Sequence, residues 1–166
     1  PWSWLLQTRP TSFYYESPKQ GVDGCTVAQC SQAINPIGTI SVWWVGILAL
    51  LVVLWWWLVR RDWRAGAIAA GIVGGYLPWF VYQDRTIYTF YAVAFEPWVV
   101  LAVTFLIGLW VGQRAPDPAR WRMRVFVVGG YLALTLALFA FFHPVYVADT
   151  IPYDHWRWRM WFPSWI

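Results

Sequence analysis

The stretch YLPWFVYQDRTIYTFYAVAFEPW, residues 76–98, places Asp84 and Arg85 between two long apolar runs and Glu96 well inside the second. An ionised side chain at bilayer depth costs about 2.5–3.5 kcal/mol even on the mildest scale, so each of these charges needs a partner or a task. Arg85 is suited to holding an anion: its planar guanidinium donates two parallel hydrogen bonds to a phosphate and stays charged at every relevant pH. Asp84 would orient that fork or neutralise it. Tyr82, Tyr88, Phe90 and Tyr91 offer apolar walls, with a hydroxyl at each tyrosine tip, of the kind a lipid chain with a polar head requires. The plainer alternative is a surface ion pair at a loop tip.

Glu96 poses the harder problem. About ten residues past the turn and followed by Pro97, it is expected roughly 12–15 Å into a regular helix. Pro97 would kink that helix and free a carbonyl near Val93. A protonated Glu96 would bond that carbonyl, or else meet a polar substrate or a helix from outside this chain. His143 and His155, lone histidines near an interface, read as structural rather than as ligands or bases. No nucleophile motif, glycine-rich phosphate loop or zinc-ligand spacing occurs, so the segment is expected to hold no catalytic residue, metal or cofactor.

These residues must be positioned by membrane helices. The chain is 60% hydrophobic and 12% charged, with 16 tryptophans among its 166 residues, a composition far from that of a soluble domain. Four apolar runs, at about 40–59, 65–82, 87–111 and 125–142, have the roughly 17–25 residues needed to cross a hydrocarbon core. Gly66, Gly71, Gly74 and Gly75 in the second run would let neighbouring backbones approach it closely. The expected architecture is all-α and integral to the membrane: an external segment at 1–39, a four-helix region at 40–142 and an external aromatic tail at 143–166.

The arginines set the orientation. Arg60, Arg61 and Arg64 in one connector, with Arg114, Arg120, Arg122 and Arg124 in another, make up seven of the chain's 12 basic residues. The positive-inside rule then places both connectors in the cytoplasm and both chain ends outside. Basic residues confined to short loops, rather than spread over a soluble face, speak against nucleic acid despite the net charge of +4. Starting at Pro1 with no basic n-region or cleavage site, the chain is expected to begin mid-protein and to carry no signal peptide. Cys25 and Cys30 would lie outside, where oxidation is permitted; a disulfide is the natural expectation, with free thiols or a metal pair as alternatives. The tail IPYDHWRWRMWFPSWI is too short and proline-spaced for a fifth crossing. It reads as interfacial, with Trp156, Trp158, Trp161 and Trp165 at headgroup level and Arg157 and Arg159 reaching toward lipid phosphates, either as an anchor or as part of a lipid-linked ligand site.

Three blocks, PWSWLLQTRPTSFYYE, GYLPWFVYQDRTIYTFYAVAFEPW and IPYDHWRWRMWFPSWI, together cover the chain's ends and centre. In order and spacing they resemble the C-terminal four-helix region of the bacterial, actinomycete-type protein O-mannosyltransferases. That resemblance implies the C-terminal part of a GT-C-type membrane glycosyltransferase. Such an enzyme moves mannose, with inversion, from a polyprenyl-phosphate carrier to Ser or Thr hydroxyls of translocated proteins. It further implies a multi-pass plasma-membrane location, membrane lipid and secreted acceptor proteins as partners, and the translocation machinery as another. The family's catalytic carboxylate lies in an external loop that has no counterpart in this sequence, so a fragment of this kind is expected to be inactive alone. Arg85, with Asp84, Tyr88 and Tyr91 around it and Glu96 beyond, is the expected donor-binding set. Competing readings are a transporter or flippase-like bundle for lipid-linked sugar, with Glu96 as a midplane ligand, and a structural membrane subunit.

Overall fold

The computed structural model of the chain describes residues 1–112 and 117–166. Its longest elements are α1 (Ile40–Arg60), α2 (Trp63–Tyr76), α3 (Glu96–Val111) and α4 (Pro118–Phe142). α1 is 21 residues of almost unbroken apolar sequence, about 30 Å long at 1.5 Å per residue. It stops where Arg61 turns left-handed at φ 54°, its N–H donated back to the Trp57 carbonyl. Asp62 then caps α2 at once: its carboxylate accepts the Arg64 backbone N–H at 2.9 Å and the Arg64 guanidinium at 2.7 Å. The bond from Arg64 holds the Asp62 carboxyl down at about 2, so the cap stays ionised through the neutral range.

The second and third apolar runs fold differently from the expectation of two full helices. α2 ends after 14 residues and passes into a 3₁₀ turn at Leu77–Phe80. Pro78 lacks the N–H that an α-helix would need there. The third run starts as a 3₁₀ turn, Thr89–Ala94, and becomes α-helical only at Glu96. Glu96 is therefore the first residue of α3, not one 12–15 Å inside a helix. Pro97 occupies the first turn, where its missing N–H has no helical partner to lose, so it starts the helix instead of kinking it. α4 begins earlier than its apolar run, because Asp117 caps it by accepting the Ala119 N–H at 2.9 Å. Two segments, Ile40–Arg60 and Pro118–Val145, are long and apolar enough to cross a membrane. The expected basic connector at Arg114 lies outside the described residues.

α1, α2 and α3 share one core, built from Ala49 and Val53, Ala65, Ile68 and Ala69, and Ala102 and Val103. Small residues bring the axes close. A Cβ on Gly46 would press into Val99, and one on Gly71 would overlap the Trp98 indole. α4 joins through Ser41, whose hydroxyl lies 3.0 Å from Thr135 Oγ1. The Arg64 guanidinium sits over the Phe105 ring and that of Arg124 over Trp110, so the start of α2, the end of α3 and the start of α4 lie at one end of the bundle.

The other end carries a cap. β1 (Tyr14–Glu16), β2 (Cys30–Ile34) and β3 (Ile151–Pro152) form an antiparallel sheet in that order, so the first and last parts of the chain pair directly. Cys25 and Cys30 are joined, their Cα atoms 5.9 Å apart. Two of the four tail tryptophans expected at headgroup level are instead covered by protein. Trp156, in α5 (Tyr153–Arg159), and Trp165 are buried with Ala33, Ile37, Ile40, Phe142 and Val145. Trp165 Nε1 donates to the Gln7 carbonyl at 2.7 Å. Arg159 points inward too, donating through Nε to the Phe141 carbonyl at 2.6 Å near the end of α4. Of the four tail tryptophans, Trp158 and Trp161 keep exposed rings. Hydropathy marks such a segment as greasy; it does not say whether lipid or protein covers it.

Gly71→Ala drives a methyl group into the Trp98 ring and should destabilise the protein by about 1–3 kcal/mol, the usual cost of overpacking. Thermal unfolding of the purified full-length protein in detergent checks this. Gly74→Ala, which meets nothing within 4 Å, should have no such effect.

Candidate functional site

Between α2 and α3 the chain runs through two 3₁₀ turns and the exposed turn that joins them, and this irregular segment is held by backbone carbonyls and one side chain of the N-terminal residues. Thr89 Oγ1 donates to the Arg9 carbonyl at 2.6 Å and the Tyr76 hydroxyl to the Pro1 carbonyl at 3.1 Å. Trp4 is buried among Tyr76, Trp79, Tyr91 and Phe95, stacking on Phe95 at 6.5 Å. The N-terminal block PWSW is thus the wedge that fixes the segment carrying Asp84, Arg85 and Glu96.

Arg85 lines a cavity of about 310 Å³ with Pro78, Trp79, Tyr82, Thr86, Ile87 and Tyr91. Trp79 and Tyr91 stack at 4.5 Å and 16° to form one wall. Trp79 is locked in place by its Nε1, which donates to the Gly75 carbonyl at 3.0 Å. Among the described residues no carboxylate lies within ion-pairing distance of Arg85. Asp84, next to it in sequence, is exposed and neither pairs with it nor lines the cavity. The guanidinium, exposed and unpaired among the described residues, is therefore a positive charge with free donors at the mouth of an aromatic cleft. That arrangement attracts an anion carrying an apolar chain.

The expected set divides. Arg85 and Tyr91 share this cavity. Tyr88 stands beside it, stacked on Phe90 at 5.3 Å and 6.3 Å from Tyr91. Glu96 lies in a second cavity of about 340 Å³, on the opposite side of the Thr89–Ala94 turn, lined also by Gln7, Gly38, Trp43, Phe90, Phe139 and Tyr146. Trp79, Trp43 and Tyr146 were not among the expected site residues. Trp79 had a signal, an aromatic three residues past the helix-ending Tyr76 in the same block as Arg85; Trp43 and Tyr146 come from distant parts of the chain and had none. His143 Nδ1 lies 3.8 Å from Asp149, and His155 stacks on Trp158; neither lines either cavity. No cluster of three or more potential metal ligands occurs among the described residues.

No family model matches the chain, and no solved structure does. Curated proteins do. A Mycolicibacterium smegmatis protein named polyprenol-phosphate-mannose--protein mannosyltransferase is 35% identical over 99% of this chain. Proteins of the same name from Mycobacterium tuberculosis and Corynebacterium glutamicum are 33% and 30% identical over the same share. The chain is a relative of these actinomycete mannosyltransferases. It spans about a third of their length, 32% of the first and 31% of the other two. Because the match runs through nearly every residue of the chain, the cavity around Arg85 and the cap over it both fall within the part related to these proteins.

Two quantities follow from this geometry. Trp79→Ala removes the wall on which Tyr91 stacks and should lower stability by about 1–3 kcal/mol, less than a fully buried ring would cost, because Trp79 is half-buried. Trp79→Phe keeps most of the ring and should lose less. Thermal unfolding of the full-length protein ranks the two.

Proposed function

We propose that this chain is the C-terminal membrane region of a glycosyltransferase that moves mannose from a polyprenyl-phosphate carrier to Ser or Thr hydroxyls of translocated proteins, and that the Arg85 cavity holds the carrier. The observation that carries the proposal is an unpaired arginine in an aromatic cleft, within a chain related end to end to proteins named for that transfer. Sugar transfer builds negative charge on the departing phosphate, and a fixed cation stabilises charge where it develops. Trp79, Tyr82 and Tyr91 would flank the first isoprenyl units. Tyr88 and Asp84 border this site from outside. The catalytic carboxylate is assigned to the remainder of the full-length protein. The relatives' transferase name does not favour the transporter or the structural-subunit reading.

In this proposal the region crosses the plasma membrane four times. α1 and α4 span directly. α2 and α3 span together with their 3₁₀ turns; at about 1.5 and 2.0 Å per residue, α2 with Leu77–Phe80 reaches roughly 29 Å. The basic connectors face the cytoplasm and the cap, with both chain ends, faces outward. The Cys25–Cys30 disulfide belongs to that oxidising side.

Arg85→Ala in the full-length protein should reduce mannose transfer from a polyprenyl-phosphate donor to an acceptor peptide about ten- to a hundredfold, the worth of one charge-assisted contact of roughly 1.5–3 kcal/mol. Arg85→Lys should recover part of it, since a point charge replaces a two-pronged donor. Full activity of Arg85→Ala at matched protein levels would refute the assignment. Orientation is checked separately by an impermeant thiol reagent on single-cysteine variants lacking Cys25 and Cys30. Asp84→Cys should label from outside intact cells and Asp117→Cys only after permeabilisation; the reverse would overturn the topology.

A further inference from the structure

Near its start, the exposed face of α4 is hollow. Arg122, Val125, Phe126, Gly129, Gly130 and Ala133 line an open groove of about 660 Å³. Spacings of three and four residues put them on one helix face, apart from Tyr131 and Thr135, which bond to Ser41 of α1. The glycines make the hollow: a Cβ on either would meet nothing within 4 Å, so no part of the described chain fills it. Arg122 is the one charged residue along the groove and stands at the end nearer the helix start. Its guanidinium has no ion pair among the described residues, whereas its neighbours are engaged, Arg120 with Asp117 at 3.3 Å and Arg124 over the Trp110 ring.

The groove's length and charge select its occupant. From Arg122 to Ala133 the helix rises about 16 Å at 1.5 Å per residue, close to half of a hydrocarbon core about 30 Å thick. The groove thus runs the depth of one leaflet, from the edge of the apolar run to the midplane. Helix side chains lean toward the N-terminus, so the Arg122 guanidinium reaches past the apolar run to headgroup level. A long apolar chain ending in an anion fits both ends, whereas a second transmembrane helix would not stop at the midplane. Among the described residues this end of the bundle carries Arg60, Arg61, Arg64, Arg120, Arg122 and Arg124 against Asp62 and Asp117, which favours a headgroup of net negative charge over a zwitterion. We propose that the groove binds an anionic phospholipid of the cytoplasmic leaflet, with Arg122 donating to the phosphate and one acyl chain lying over Gly129 and Gly130. Only the choice of leaflet rests on the proposed orientation. Arg85 lies at the opposite end of the bundle, so this site is separate from the one proposed for the carrier.

The experiment places the full-length protein in nanodiscs doped with phosphatidylglycerol or phosphatidylcholine bearing a photoreactive diazirine midway along one acyl chain, and maps the cross-links by mass spectrometry. The phosphatidylglycerol probe should label residues 125–133 more strongly than the phosphatidylcholine probe. Arg122→Gln should cut that labelling about fivefold, the worth of one arginine beside an anionic headgroup. Gly130→Leu fills the hollow and should abolish it, while leaving the unfolding temperature unchanged or raised, because a Cβ there meets nothing within 4 Å. No labelling of α4 in wild type, equal labelling by the two probes, or undiminished labelling in either variant would each overturn the proposal. A lowered unfolding temperature of Gly130→Leu would overturn it as well, by showing that another helix of the full-length protein fills the groove. Lipid labelling rather than transfer is the readout, so this site can fail while the Arg85 assignment stands, and the reverse. A reversed orientation shows in the thiol labelling of Asp117→Cys, not in this cross-link.

Discussion

Pro97 has no backbone N–H to give, and its ring excludes a carbonyl one turn earlier, so α3 cannot be extended upstream of Glu96 as regular helix. The rest of the arrangement depends on that limit. With helix forbidden on one side by Pro97 and on the other by Pro78, residues 81–95 must satisfy their backbone by other means. Inside a bilayer such a segment is tolerated only where protein covers it. The cap covers its second half: the Arg9 and Pro1 carbonyls accept from the side-chain hydroxyls of Thr89 and Tyr76, and Trp4 fills the space between Trp79, Tyr91 and Phe95, while residues 81–86 stay exposed. A straight pair of helices would have had no need of that cover and would have left no cavities beside it.

The cap in turn is tied to the bundle by contacts that cross the whole sequence. Gln7 is its hub. Its side chain donates to the Trp4 carbonyl at 2.7 Å and accepts the Gly38 N–H at 3.1 Å, and its own carbonyl accepts from Trp165. Through one buried residue the N-terminal wedge, the start of α1 and the tail are held in register. Each such bond contributes only about 0.5–1.5 kcal/mol net, but an unmade one would leave a buried polar group at a cost of about 1–3 kcal/mol. Position is therefore enforced more by what separation would expose than by what contact gains.

How much of this could be read beforehand differs from element to element. α1 begins at the expected residue and overruns the expected end by one, because a long run of apolar residues with a charged stop leaves little choice. α4 starts seven residues earlier than its apolar run, since Asp117 and Pro118 make a helix start whatever the polarity of the arginines that follow. Runs two and three were the right segments with the wrong local structure: hydropathy adds up side chains, whereas Pro78 and Pro97 act through missing backbone donors. The burial of Trp156 and Trp165 was hidden for a related reason, as they are apolar in either setting and only the fold brings Ala33, Ile40 and Phe142 against them. Arg85 stood out because a charge between apolar runs is conspicuous. Trp43 and Tyr146 did not, because only the fold brings these distant residues to one cavity.

The division of the charges between two cavities has its own physical consequence. Had Arg85 and Glu96 faced one another in a space of low dielectric, each would have spent its charge on the other, and neither an anion nor a hydroxyl would have competed well for either. The 3₁₀ turn Thr89–Ala94 prevents this. Tyr91 points to the cationic side while Phe90, Ala92 and Val93 line the acidic one. The tighter, three-residue winding of such a turn sends neighbouring side chains to different faces, so a single short segment serves as the partition between a site that attracts negative charge and one that repels it. Pro78 and Pro97, which bound this irregular segment, therefore also keep Arg85 and Glu96 in separate electrostatic environments.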